Sequence, residues 1–80
     1  MTMLAVFRSR AQALDALALL KGAGVPVQAV STPKEAGIGC GISVRFEGKF
    51  FPRVRALVAA RRYSAFWGYL RACGGAFMRC

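Results

Sequence analysis

Apolar residues fall in short periodic blocks separated by glycines and prolines, and the blocks predict the order strand, helix, strand, strand, helix, strand. Met3 to Phe7 is a continuous apolar run of strand length, closed by the polar Arg8 and Ser9. Ser9 and Gln12 have the spacing of a capping box, and Leu14, Leu17 and Leu20 then recur at helical spacing, so a helix should lay that stripe on a sheet. Gly22 and Gly24 end it. Val25, Val27, Ala29 and Val30 predict a second strand that tolerates Pro26 at its start or on a sheet edge and stops at Thr32-Pro33. Pro33 to Gly41 contains Gly37, Gly39 and Gly41 without an apolar period and reads as a loop. Ile42, Val44 and Phe46 alternate with Ser43 and Arg45, the period of a half-buried strand, and Glu47-Gly48-Lys49 turns the chain. Pro52 suits the first turn of a second helix with Val54, Leu57 and Val58 inward and Arg53, Arg55, Arg61 and Arg62 outward. The aromatic segment Ser64 to Ala72, with Phe66, Trp67, Tyr69 and Leu70, predicts the last strand. Gly74-Gly75 then closes a single domain over residues 1–75, and residues 76–80 read as a short tail.

That order is the split βαβ arrangement of an α+β, ferredoxin-like βαββαβ two-layer sandwich, with both helices on one face of an antiparallel sheet. The other face is then expected to be open. Trp67 and Tyr69, at alternate positions, are available to cover it, and a chain of this length buries only about 60% of its unfolded surface by itself. A two-fold homodimer through the sheet is the expected completion.

Charge narrows the chemistry. Twelve Lys and Arg stand against 3 Asp and Glu, giving a net charge of +9, which favours acidic partners without saying which. The chain has no His, which removes the commonest general base and metal ligand. Asp15, Glu35 and Glu47 are far apart in sequence, so a paired-carboxylate hydrolase is not expected. Cys40, Cys73 and Cys80 form no C-x-x-C pair and without His fall short of a structural zinc set; their odd number argues against a disulfide scaffold. No metal and no cofactor is expected. Arg8 and Arg10 interrupt the apolar start too early for a signal peptide, and no run approaches the ~20 apolar residues that span a bilayer, so the expectation is a cytoplasmic protein with reduced thiols and no membrane contact.

Cys40 stands out by position. Gly39-Cys40-Gly41 precedes a strand, with Lys34 in the same loop. Backbone N–H groups in glycine-rich turns form anion-holding nests, and a nearby cation adds to them, so a thiolate is favoured there. Spacing alone leaves a second reading open, that Cys40 is a small hydrophobe in a turn. Cys73 and Cys80 are candidate resolving thiols by mixed-disulfide exchange, or simply exposed tail cysteines. A thiol enzyme is not expected, since no His stands behind Cys40. Nucleic-acid binding through Arg53, Arg55, Arg61 and Arg62 lacks the aromatic run that marks the common RNA-recognition domain and is not favoured.

The stretch Thr32-Pro33-Lys34-Glu35-Ala36-Gly37-Ile38-Gly39-Cys40-Gly41-Ile42-Ser43-Val44-Arg45-Phe46 resembles the signature of the selenium/sulfur carrier-like family of small bacterial proteins. The likeness extends over residues 3 to 72 and includes the Ser-headed helix and Gly24-Val25-Pro26. Where that family usually has a large aliphatic residue and a serine, this chain has Ala36 and Gly37. The resemblance implies a carrier rather than a catalyst. In that reading Cys40 holds a persulfide or selenopersulfide inside a loop formed by Thr32, Pro33, Lys34, Gly39 and Gly41, taking it from a cysteine desulfurase-like or selenium donor and passing it to an acceptor. The alternative reading is a small basic interaction or regulatory module that binds nucleic acid or an acidic protein.

Overall fold

Strand β1 (Thr2–Phe7) is the middle of a five-stranded sheet in a computed structural model that describes residues 1–38 and 41–80. Helix α1 (Arg10–Gly22) follows, then β2 (Gln28–Ser31), a 3₁₀ turn at Lys34–Ala36 and β3 (Ile42–Glu47). Helix α2 (Phe51–Arg61), β4 (Phe66–Cys73) and β5 (Ala76–Arg79) complete the chain. The strand order is β2-β3-β1-β4-β5 and every pairing is antiparallel. The molecule is therefore α+β, with a five-strand antiparallel sheet and two helices.

Why β1 reads as an uninterrupted apolar run is now evident, because both of its faces are covered. Met3, Ala5 and Phe7 pack with Ala13, Ala16 and Leu20 of α1, Val54 and Val58 of α2, and Val44 and Phe46 of β3. Leu4 and Val6 point the other way, into a second cluster with Leu70, Ala36, Val30, Ile38, Trp67 and Phe77. The face expected to be open is thus covered in part by the turn after β2, with the side chains of Trp67 and Phe77 beside it.

Local signals explain most boundaries. Ser9 caps α1, its Oγ accepting the Gln12 N–H at 3.2 Å. The Gln12 side chain does not reach back to complete the box; it donates to Ser64 Oγ at 2.9 Å and accepts the Ala65 N–H at 2.8 Å, tying the start of α1 to the entry of β4. The buried stripe of α1 is Ala13, Ala16 and Leu20 with Leu17 half-buried, and Leu14 is 42% exposed. Small alanines let the helix axis approach the sheet, so the packed face is centred one position away from the leucines. β2 begins two residues after Pro26 instead of at Val25, since proline brings no N–H to a ladder. Pro52 stands in the first turn of α2, as its fixed φ allows.

Two further expectations are corrected at the C-terminal end. Gly74 (φ 57°) and Gly75 (φ 86°) do not end the domain: they form the two-residue left-handed turn that suits a tight hairpin, and residues 76–79 of the supposed tail return as β5. Trp67 and Tyr69 do not share a face either. Val6 pairs with Gly68 and Phe7 with Phe66, so Trp67 is the extra residue of a β-bulge, and its ring joins the second cluster while Tyr69 joins the helix-side core. Gly68 (φ 148°) leaves room there for the Arg79 guanidinium, which stacks 4.0 Å over the Trp67 ring and donates to the Trp67 carbonyl at 2.8 Å.

The helices meet through Asp15, whose Oδ2 accepts the Tyr63 hydroxyl at 2.6 Å and lies 3.5 Å from the Arg61 guanidinium. Burial, and then the hydrogen bond to the Asp15 carboxylate, push the Tyr63 phenol up to about 12. Among the described residues no helix is long and apolar enough to cross a membrane.

Candidate functional site

The loop between β2 and β3 is closed at its base by backbone pairing, Thr32 N–H donating to the Gly41 carbonyl at 3.1 Å. Beside that bond, Thr32 Oγ1 and Ser43 Oγ lie 2.7 Å apart, and Ser43 is fully buried. A Cβ on Gly41 would stand 3.3 Å from Thr32 Oγ1 and 3.8 Å from the Phe7 carbonyl oxygen. Glycine at 41 therefore lets the loop return close against both the Thr32–Ser43 pair and the end of β1.

From Thr32 the chain turns at once. Ala36 N–H reaches the Pro33 carbonyl at 3.1 Å and Gly37 N–H reaches that of Lys34 at 3.0 Å, giving the 3₁₀ turn. Gly37 ends it at φ 70°, a left-handed position that a serine would occupy with strain. Ala36, only 6% exposed, and Ile38 then press onto Leu4, Val6 and Leu70, so the first half of the loop lies flat on the second sheet face. Glu35 Oε2 accepts the Phe77 N–H at 3.3 Å, pinning the same turn to the edge strand β5. Lys34 is exposed at the tip of the turn.

Of the residues singled out from the sequence, Thr32, Pro33, Lys34 and Gly41 are brought together at this loop. Gly39 and Cys40 lie outside the described residues. Cys73 and Cys80 are exposed free thiols on the C-terminal hairpin and are not close to one another. Cys73 pairs with Ala76 beside the turn, whereas Cys80 N–H bonds the Tyr69 carbonyl at 3.0 Å. Four residues of β4 separate those levels, roughly 13 Å of strand at about 3.3 Å per residue, against the ~7 Å Cα limit for a disulfide. Ladder registers put Cys73 at the far end of the sheet from Gly41, with Cys80 between the two levels. Among the described residues no group of His, Cys, Asp and Glu could hold a metal ion.

Sequence reasoning overlooked Ser43 and Glu35. Ser43 was visible only as the polar half of an alternating strand, yet it faces the second cluster and needs Thr32 to satisfy its hydroxyl. Thr32→Val is expected to leave that buried hydroxyl unpaired and to lower stability by about 1–3 kcal/mol, while the double variant Thr32→Val with Ser43→Ala recovers most of the loss. Urea unfolding of the two single variants and the double one checks it; simple additivity would show that the hydroxyl pair contributes nothing.

One family model, described as "Putative Se/S carrier protein-like", matches residues 2–64, which spans β1 through α2 and the whole of the β2–β3 loop. No curated protein and no solved structure matches the chain.

Proposed function

Because the chain belongs to the Se/S carrier protein-like family, we propose that Cys40 is the carrying thiol and that the protein moves a sulfane sulfur, or selenium in its place, from a donor cysteine to an acceptor. The family match over the β2–β3 loop carries this reading, supported by the way that loop is built. Its base is closed by Thr32 and Gly41, its first half is pinned by Ala36, Ile38 and Glu35, and Lys34 is left exposed beside it. The described parts of the loop are thus fixed to the sheet, a rigid frame of the kind that a carrying thiol needs.

The transfer balances without an outside oxidant. The Cys40 thiolate attacks the terminal sulfur of a donor cysteine persulfide; a new S–S bond forms, the donor's S–S bond breaks, and the donor sulfur leaves as a thiolate with the bonding pair. Delivery to an acceptor thiolate repeats the step with Cys40 as the leaving group. A persulfide is anionic near neutral pH, so the basic character of the chain and Lys34 in particular favour the loaded state. The chain needs no general base of its own in this scheme, only a thiol already ionised, which suits a protein without His.

The rival reading places the function on the arginines of α2. Two of those four are already engaged within the fold, Arg53 donating to the Ala23 carbonyl at 2.5 Å and Arg61 pairing with Asp15. Incubation of the purified chain with a cysteine desulfurase and cysteine tests the carrier reading: intact mass is expected to rise by one sulfur atom, peptide mapping to place it on the Cys40 peptide, and an added acceptor thiol to remove it. Uptake on Cys73 or Cys80 alone, or none at all, overturns it.

A further inference from the structure

A second feature lies on the opposite, helix-bearing side of the sheet. Arg55, Val58 and Ala59 of α2, at i, i+3 and i+4, and Arg62 just past its end face Tyr63, Phe66 and Tyr69 across a trough of about 260 Å³. Val58, 3% exposed, lies in its floor, and the aromatic wall is held rigid edge-to-face: Phe66 to Tyr69 at 5.0 Å, Phe7 to Phe66 and to Tyr63 at 5.3 Å each. The middle of this trough is apolar; its two cations stand one at each end of the helical stripe.

Among the described residues neither cation forms an ion pair. Of the three side-chain carboxylates, Asp15 is held by Tyr63 and Arg61, Glu35 by the Phe77 N–H, and Glu47 by the amino group of Met1 at 3.4 Å. Among the described residues none is left for Arg55 or Arg62. Arg62 also sits at φ 52°, the one non-glycine residue with positive φ among those described, at a helix end where glycine is the unstrained choice. Tyr69 offers a hydroxyl that stays protonated, its phenol pushed up to about 12 by burial even against the opposing field of Arg55. The volume falls just under the range of ~300–1,000 Å³ that takes drug-sized ligands, so it admits one compact body and not a length of helix or polymer.

We propose that this trough binds a small organic anion: a carboxylate or phosphate monoester on a single aromatic or branched apolar body. The body packs down on Val58 and Phe66, and the anionic group lies outermost, above Ala59, where the long side chains of Arg55 and Arg62 reach it from the two ends and donate in the charge-assisted geometry that carboxylate and phosphate oxygens accept. The site is independent of Cys40 and of the carrier reading.

Titration of the isotope-labelled full chain with naphthyl phosphate, followed by amide NMR, tests it. Saturable shifts are expected to concentrate on Ala59, Arg62, Phe66 and Tyr69, and both inorganic phosphate and neutral naphthol should bind at least about tenfold more weakly, since each supplies only half of the recognition. Arg55→Gln and Arg62→Gln should each weaken naphthyl phosphate about tenfold. Ala59 is an exposed helical position, so Ala59→Glu should fold normally, abolish binding by filling the trough with a like charge to the ligand, and leave sulfur uptake at Cys40 unchanged. Inorganic phosphate binding as tightly as the ester, naphthol binding as tightly, shifts spread over the whole basic surface, or Gln variants that bind like the parent would each overturn the proposal.

Discussion

Cys40→Ser is expected to abolish sulfur uptake completely while leaving the fold intact. A serine hydroxyl stays protonated at neutral pH and is a poor nucleophile toward sulfur, so neither loading nor delivery can start. The fold should survive because the loop's anchors are elsewhere: Thr32 to Gly41 at the base, Ala36 and Ile38 on the sheet, Glu35 on β5. Cys73 and Cys80 remain as built-in controls, both exposed and both on the C-terminal hairpin, away from the glycine loop. Near pH 7, where an ordinary thiol of pKa ~8.5 is mostly protonated, Cys40 should therefore alkylate faster than either, and Cys73→Ser and Cys80→Ser should load sulfur like the parent. Full loading of the Cys40→Ser chain, with an unchanged circular dichroism spectrum, would remove Cys40 from the carrier role.

How much of this was legible beforehand follows from which forces act locally. The helix cap at Ser9, the proline at the head of α2 and the alternation of Ile42, Val44 and Phe46 depend on neighbours in sequence, and each is found in place. The closing of the β2–β3 loop was legible too, because Gly37 and Gly41 mark where the backbone must turn or pass close to another chain segment. Tertiary effects were not. Trp67 and Tyr69 are two residues apart and share a face in a regular strand; the bulge that separates them exists only against β1. Leucines attracted the helix stripe away from Ala13 and Ala16, whose small size matters only once a sheet lies beneath them. Gly74-Gly75 did carry a local signal, two glycines between short apolar segments, which marks a hairpin turn rather than an end. Of the site, the types and spacing of the loop residues could be read, but the seat of Ala36 and Ile38 on Leu4, Val6 and Leu70 could not, since it joins segments some 30 residues apart.

Phe7→Ala is expected to cost a large share of the stability. Phe7 is 1% exposed at the end of the central strand; its ring meets Tyr63 and Phe66 edge-to-face at 5.3 Å each, and its backbone oxygen borders Gly41 at the loop base. Truncating a buried phenylalanine costs about 3–5 kcal/mol, and at about 0.05–0.15 kcal/mol per residue a chain of this size has only roughly 4–12 kcal/mol in all. The aromatic wall of the α2–β4 trough rests on the same ring, so a Phe7→Ala chain that still folds should also lose naphthyl phosphate binding. Leu14→Ala is the natural contrast. Leu14 belongs to the sequence's leucine stripe but is 42% exposed, and its truncation should change stability by no more than about 0.5 kcal/mol, since Ala is also the better helix former. Urea titrations read by Trp67 fluorescence separate the two residues: equal losses at positions 7 and 14 would mean that α1 packs on its leucines after all, and a loss below about 1.5 kcal/mol for Phe7→Ala would mean that the ring is not a main support of the helix-side core.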